Sequence, residues 1–180
     1  MTDELFNKAL NYYQLGEYKE ALVIYYEILA KNIEDYRSYY NVALMYDLMG
    51  EEEFACAYYN KAIKLNTNDI RSMNNLAKIC LKYNQEEGCK ILNKIIEIEP
   101  MDAEAYNTYG NLYFDKKDYK NAKYYFKKSI DFDKDYFKNY YDIAKAYIGL
   151  NEFEKAKEML GICIKLKPDF DLANELLSKL

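Results

Sequence analysis

Small residues recur along the chain at a nearly constant interval, and this repeat constrains the fold more than any other feature of the sequence. The intervals of one series are 34, 34, 33 and 34, and its members are Ala9, Ala43, Ala77, Gly110 and Ala144. The intervals of a second series are 34, 33, 34 and 34, and its members are Ala21, Ala55, Gly88, Ala122 and Ala156. A regular period of this length indicates a chain built from five copies of one supersecondary unit.

The repeat loses a single residue in its third copy, between Ala77 and Gly88. The stretch in between, KICLKYNQEE, lacks the glycine that stands in the matching place at Gly16 and Gly50. The sequence therefore predicts a shortened turn in the third copy, because turns tolerate deletions better than the elements they connect.

Within one copy the apolar residues follow two short helical stripes. In the fourth copy the first stripe has spacing i, i+3, i+4, i+7 and consists of Tyr106, Tyr109, Gly110 and Tyr113. The second stripe repeats this spacing with Ala122, Tyr125, Phe126 and Ser129, and the segment KKD between the stripes predicts a turn. Helices of about 14 residues are marginal in isolation, so we expect them to stack on their neighbours. Most of the tyrosines are then core residues and do not form an aromatic ligand cage.

Bulk composition excludes several classes of function. With 51% hydrophobic and 31% charged residues the chain is typical of a soluble globular protein. A net charge of -5 argues against nucleic-acid binding, and the lack of a long apolar run or of a signal-peptide pattern argues against a membrane partner. The four cysteines form no C-x-x-C pair and histidine is absent. We therefore expect no metal, no cofactor, reduced thiols and a cytoplasmic location.

The repeated pattern resembles the tetratricopeptide repeat, which has a large aromatic residue, Leu-Gly, Tyr, Ala, Phe and a closing Pro at set places. The fourth copy matches it with Tyr106, Tyr109, Gly110, Tyr113, Ala122 and Phe126. The resemblance implies an all-α, right-handed superhelical solenoid of five helix-turn-helix pairs plus a short C-terminal capping helix. The single array then covers residues 2–170, in units 2–35, 36–69, 70–102, 103–136 and 137–170, and the capping helix covers residues 171–180.

Family membership of this kind implies a non-catalytic protein-interaction module, a scaffold or adaptor that binds a peptide or helix of a partner in its concave groove. The chain has no histidine and no Gly-rich phosphate loop, so no residue supports an enzyme. Some family members bind chaperone carboxylates through a Lys, Asn, Asn, Lys, Arg clamp. The matching places here read Phe6, Leu10, Asn41, Arg71 and Asn75, so that activity is not implied. The alternative function is a self-assembling scaffold that associates through its ends.

An asparagine series offers the main candidate for backbone recognition. Asn7, Asn41 and Asn75 occupy the same place in the first three copies, and the later copies have Thr108 and Asp142 in the matching place. The resemblance places these residues on the groove side of the first helices. An amide carries both a donor and an acceptor and can pair with a peptide backbone. The alternative interpretation is hydrogen bonding between helices, and the sequence alone does not decide.

The groove is predicted to be basic in its middle, although the protein is acidic overall, and an acidic partner segment would then fit. The alternative is a solvated face whose positive charge is cancelled by residues of the second helices. A partner could instead be anchored by apolar contacts, for which the candidates are Phe6, Tyr13, Tyr40 and Tyr141. The residues predicted to line the groove are Asn7, Arg37, Tyr40, Asn41, Arg71, Asn74, Asn75, Lys78, Lys82, Asn107, Asn111 and Lys145.

Three aspartates in the segment DFDKDYFKNYYD, namely Asp131, Asp133 and Asp135, have the spacing that opens a calcium loop. Tyr136, however, stands where that loop requires glycine, and Asp142 where it expects glutamate. The repeat places this segment at the join between two units, so we predict a helix-capping role.

The C-terminal segment DLANELLSKL predicts a helix with a wide apolar face. Leu172, Leu176 and Leu180 share one stripe, which can cover the last helix pair as a cap. A cap also needs a polar outer face, and this stripe is broad for so short a helix. We therefore predict weak self-association through Leu172 and Leu176, with a simple cap as the alternative.

Overall fold

A computed structural model of the protein describes residues 2–180. The described residues form eleven α-helices and no β-strand. The helices are α1 (Thr2–Gln14), α2 (Tyr18–Lys31), α3 (Tyr36–Leu48), α4 (Glu52–Leu65), α5 (Ile70–Tyr83), α6 (Gln85–Ile98), α7 (Ala103–Asp115), α8 (Tyr119–Phe132), α9 (Phe137–Gly149), α10 (Phe153–Leu166) and α11 (Asp171–Ser178). This confirms the predicted all-α array of five helix pairs with a short C-terminal helix. We call the odd-numbered helices α1 to α9 first helices and the even-numbered helices α2 to α10 second helices.

The chain divides into two compact units, Met1–Lys94 and Ile95–Leu180, which we call the N-terminal unit and the C-terminal unit. In the N-terminal unit, α1 packs on α2 and α3 on α4, and successive pairs join where α2 meets α3 and α4 meets α5. In the C-terminal unit, α7 packs on α8 and α9 on α10, with α8 against α9 and α11 against α10.

All members of the two predicted small-residue series are buried between helices. Gly110 shows why small residues are needed. A Cβ built on it would lie far inside van der Waals contact with the ring of Phe126 on the paired helix. The large aromatic residues fill the space beside these close approaches.

The turn inside each pair also repeats, with one residue in the left-handed region. Gly16, Gly50, Lys117 and Asn151 have φ between 58° and 79° and occupy matching places in four of the five copies. The third copy differs because α5 ends at Tyr83 and α6 begins at Gln85, which leaves only Asn84 between them. The predicted deletion in this turn is therefore confirmed. Asn84 accepts a hydrogen bond from the Glu87 backbone N–H at 3.2 Å, which caps α6.

Most tyrosines of the tyrosine-rich segment contribute to the core, as predicted, although Tyr124 is 54% exposed. Tyr106 and Tyr109 are buried, and the Tyr125 ring stacks on Tyr109 and on Tyr113 at centroid distances of 5.1 Å and 5.2 Å. These rings pack against one another between α7 and α8. Offset stacking of this kind adds about 0.5–1.5 kcal/mol per pair to the burial of apolar area.

Candidate interaction surface

The asparagine series lies on successive first helices of the N-terminal unit, but its members differ in exposure and bonding. Asn7 is exposed, whereas Asn41 and Asn75 are half-buried. The Asn41 Nδ2 donates to the Arg37 carbonyl one turn earlier, at 2.9 Å. The Asn75 side chain lies beside the hydroxyl of Tyr59, whose pKa is raised chiefly by burial. Asn41 therefore uses one amide donor within its own helix, so this bond is not the helix-to-helix bond of the alternative interpretation.

In the C-terminal unit the matching places are buried. Thr108 donates its hydroxyl to the Glu104 carbonyl at 2.9 Å, the same bond to the preceding turn that Asn41 makes. Asp142 is 2% exposed and forms an ion pair with Lys145 at 2.7 Å. The series thus faces solvent only in the N-terminal unit. Asn74, which the sequence placed in the groove, is 1% exposed and belongs to the interior.

Arg37 and Arg71 are exposed on α3 and α5, and each is held in the same way. The Arg37 Nε donates to Asp35 at 3.2 Å, and the Arg71 Nε lies 3.8 Å from Asp69. Arg37 lies over the ring of Phe6 with its Cζ 5.2 Å from the centroid, and Arg71 lies over the ring of Tyr40 at 4.6 Å. Each ring belongs to the preceding first helix.

The two aspartates are themselves fixed by serines on the helices that follow them. Ser38 donates its hydroxyl to Asp35 at 2.7 Å, and Ser72 donates to Asp69 at 2.5 Å. Both carboxylates are almost fully buried. The sequence analysis did not predict this Ser–Asp–Arg arrangement. The motif Asp-x-Arg-Ser, which occurs at the same place in the second and third copies, could have indicated it.

The predicted basic centre of the groove is charge-balanced by carboxylates. Lys82 forms an ion pair with Glu52 on the neighbouring second helix, and Tyr83 donates its hydroxyl to the same carboxylate at 2.6 Å. This contact raises the pKa of Lys82, and the Lys82 and Tyr83 bonds lower the pKa of Glu52. Burial raises the pKa of half-buried Asp47, and the positive charges of Lys82 and Lys78 oppose this shift. The surface around Lys78 and Lys82 is therefore of mixed charge.

Two polar residues of the C-terminal unit that were predicted to line the groove belong to one hydrogen-bond network. Asn111 Nδ2 donates to the Asn107 side-chain oxygen at 2.8 Å, and Asn107 Nδ2 donates to Asn139 at 3.2 Å and to Asp142 at 3.1 Å. The Lys145 Nζ, besides its ion pair with Asp142, lies 5.1 Å from the ring centroid of Tyr141. These amides connect α7 to α9, so their first role is structural.

The predicted aromatic anchors differ in the contacts they make. Tyr13 is 36% exposed and packs against Tyr18 within its own helix pair. Tyr40 is half-buried and packs against Tyr59, with ring centroids 6.1 Å apart. Tyr141 is half-buried against Phe170 at 5.2 Å. Each anchor thus has an intramolecular ring partner and a solvent-facing edge.

The aspartate segment that opens like a calcium loop caps a helix join, as predicted. Asp133 is the C-cap residue of α8, and its Oδ1 accepts the backbone N–H groups of Asp135 and Tyr136, each at 3.1 Å. Within residues 2–180 no group of His, Cys, Asp or Glu side chains is arranged to hold a metal ion. In the same part of the chain, no helix is both long and apolar enough to cross a membrane.

The two leucines predicted to self-associate differ in exposure. Leu172 is 54% exposed, whereas Leu176 is half-buried and packs with Leu177 and Leu180 against the core that contains Ala173. One side of α11 therefore covers the last helix pair, and Leu172 is the apolar residue that remains outside.

Comparison with known proteins identifies the repeat. Two family models described as tetratricopeptide repeat match residues 36–69 and residues 113–180, which together make up more than half of the chain. The comparison with curated proteins gave no match.

Several solved structures share the fold at low sequence identity. The thermophilic TPR protein TTC0263 from Thermus thermophilus is 15% identical, with a TM-score of 0.79 over 99% of this chain and 98% of that one. MamA from Desulfovibrio magneticus RS-1 (residues 41 to the end) is 19% identical, with a TM-score of 0.71 over 94% and 97% of the two chains. YrrB, a TPR protein with an unusual peptide-binding site, is 22% identical, with a TM-score of 0.63 over 98% and 91%.

Proposed function

Because the chain belongs to the tetratricopeptide repeat family, we propose that it binds an extended peptide or a helix of a partner protein on the first-helix surface of its N-terminal unit. We define this first-helix surface by the exposed or half-exposed residues Asn7, Arg37, Tyr40, Asn41, Arg71, Asn75, Lys78 and Lys82. Stacked helix pairs present long surfaces suited to such ligands. The peptide-binding site of YrrB, a protein with this fold, gives independent support.

The observation that carries the proposal is the accessibility of Asn41 and Asn75 at matching places of two successive first helices. Two amides at a fixed separation can each bond a peptide group, and peptide groups repeat regularly along an extended chain. Asn107, Asn111 and Lys145 are proposed as a separate and smaller contact surface of the C-terminal unit. We further propose a scaffold or adaptor role without catalysis, and a cytoplasmic location, where the four cysteines would stay reduced.

Selection from an unbiased peptide library with the purified protein tests the proposal directly. Asn41→Ala and Asn75→Ala should each weaken binding of the selected peptides by about 1 kcal/mol, close to fivefold in Kd. Asn60→Ala is the matched control, because Asn60 makes the same bond to the preceding turn, to the Cys56 carbonyl at 2.9 Å, on a second helix. If both substitutions leave the affinity of every selected peptide unchanged, the amides do not bind the ligand.

A second function is favoured by one observation. Leu172 is 54% exposed although it lies on a helix that otherwise packs its leucines inward. The alternative proposal is therefore an oligomerising scaffold in which copies of this chain associate through the exposed side of α11.

A further inference from the structure

The chain contains only two arginines, Arg37 and Arg71, among its 25 basic residues. They occupy the same place in two successive units. Lysine supplies the positive charge everywhere else. Arginine differs from lysine in its planar fork of donors and its ability to stack on rings, so its restriction to these two places indicates a site that requires that geometry.

The structure fixes both guanidinium groups by equivalent contacts. In each case the Nε side is directed at a buried aspartate, and the planar group lies over an aromatic ring of the preceding first helix. The outer edge, with its terminal amino groups, remains accessible because the two side chains are 56% and 61% exposed. An arginine held in this way has lost much of its rotamer freedom before a ligand arrives, which lowers the entropic cost of binding.

The edge that remains accessible has the geometry of a carboxylate receptor. Two parallel N–H groups on the terminal nitrogens match the two oxygens of a carboxylate in a bidentate pair. Asp35 and Asp69 balance the charge of the arginines but do not compete for this edge, since they lie at the Nε side and accept from Ser38 and Ser72.

We propose that Arg37 and Arg71 form a double carboxylate receptor that selects partner segments with two acidic side chains three residues apart. This inference rests on the proposed function and deepens it. The Arg71 side chain of α5 reaches the Tyr40 ring of α3, so these helices are neighbours, and the axes of packed helices lie about 8–10 Å apart. Side chains at i and i+3 of an extended polyproline-type segment point to the same side about 9 Å apart. The rings of Phe6 and Tyr40 lie beneath the two guanidinium groups and hold them in place.

Fluorescence anisotropy with labelled synthetic peptides tests the receptor. The probe is PPEPPEPP, the spacing control PPEEPPPP has the same composition, and the charge control is PPQPPQPP. The wild-type protein should bind the probe about tenfold more tightly than the spacing control, because only the probe can fill both arginines with bidentate bonds. The doubly substituted R37K/R71K protein keeps its charge and should lose this preference, while its thermal unfolding stays close to that of the wild type.

A second pair of variants separates the receptor from general electrostatics. The R37M/R71M protein should no longer bind the probe, whereas the K19M/K64M protein should bind it with wild-type affinity. Lys19 and Lys64 are exposed on second helices, and replacing them changes the net charge by the same amount as replacing the two arginines. Equal affinity of R37K/R71K and wild type for the probe, or equal binding of all three peptides, would overturn the receptor. If library peptides still bind through Asn41 and Asn75 in that case, the proposed function stands and only the acidic preference is wrong.

Discussion

Arg71 on α5 lies over the ring of Tyr40 on α3, with its Cζ 4.6 Å from the ring centroid. The same contact occurs one unit earlier between Arg37 and Phe6 at 5.2 Å. A cation over an aromatic face is attracted by the ring quadrupole. Each contact therefore joins two successive first helices through the side chain that we propose binds the ligand, so the stability of the array and ligand recognition share these residues.

A double-mutant cycle should detect this contact as a coupling free energy. Arg71→Met and Tyr40→Leu, measured singly and together by urea unfolding, should show a coupling of about 0.5–1 kcal/mol, the usual size for an exposed cation–π pair. Lys64→Met combined with Tyr40→Leu is the control and should be additive, since exposed Lys64 lies on α4, a second helix. If the effects of Arg71→Met and Tyr40→Leu on the free energy of unfolding are additive, the contact between the two side chains does not contribute to stability.

Removing the carboxylate of Glu52 should strengthen binding of acidic ligands. Glu52 forms an ion pair with Lys82 on the first-helix surface, so Glu52→Gln leaves Lys82 available to a partner carboxylate. Affinity for the peptide PPEPPEPP should rise and its dependence on salt should become steeper, because exposed charges are screened over about 8 Å at physiological ionic strength. Glu53→Gln, an exposed neighbour of Glu52, should have a smaller effect. An unchanged affinity in Glu52→Gln would mean that the ligand does not approach Lys82.

Two glycine substitutions in the C-terminal unit should change stability in opposite directions. Gly110→Ala would drive a Cβ into the Phe126 ring and should cost about 1–3 kcal/mol in the free energy of unfolding. Gly161→Ala, also within a helix, meets no atom within 4 Å and should stabilise the protein by up to about 1 kcal/mol. Thermal or urea unfolding measures both. A neutral Gly110→Ala would mean that α7 and α8 can separate without cost.

The fold was predictable because it depends on residues that repeat within the sequence. Ala43 and Gly110 mark close helix approaches by their size alone, and the missing residue near Asn84 locates the short turn. The site was less predictable, since it depends on side chains that meet across different helices. Lys82 indicated a basic groove until the structure placed Glu52, from the preceding helix, beside it. Periodicity assigns a residue to a face of its helix but does not determine which charges from neighbouring helices share that face.

Leu172 tests whether copies of this chain associate. An apolar patch around one 54% exposed leucine covers at most a few hundred Å², well below the roughly 1,000 Å² typical of stable interfaces, so we expect association to be weak. Sedimentation of the wild type should then depend on concentration, and Leu172→Glu should abolish this dependence without lowering stability. Leu65→Glu is the matched control, because Leu65 is a 44% exposed leucine of the N-terminal unit.

Leu176 is half-buried, so Leu176→Glu would disturb the cap as well as the surface and is informative only alongside an unfolding measurement. A wild type that remains monomeric at high concentration would contradict the association and leave α11 as a simple cap.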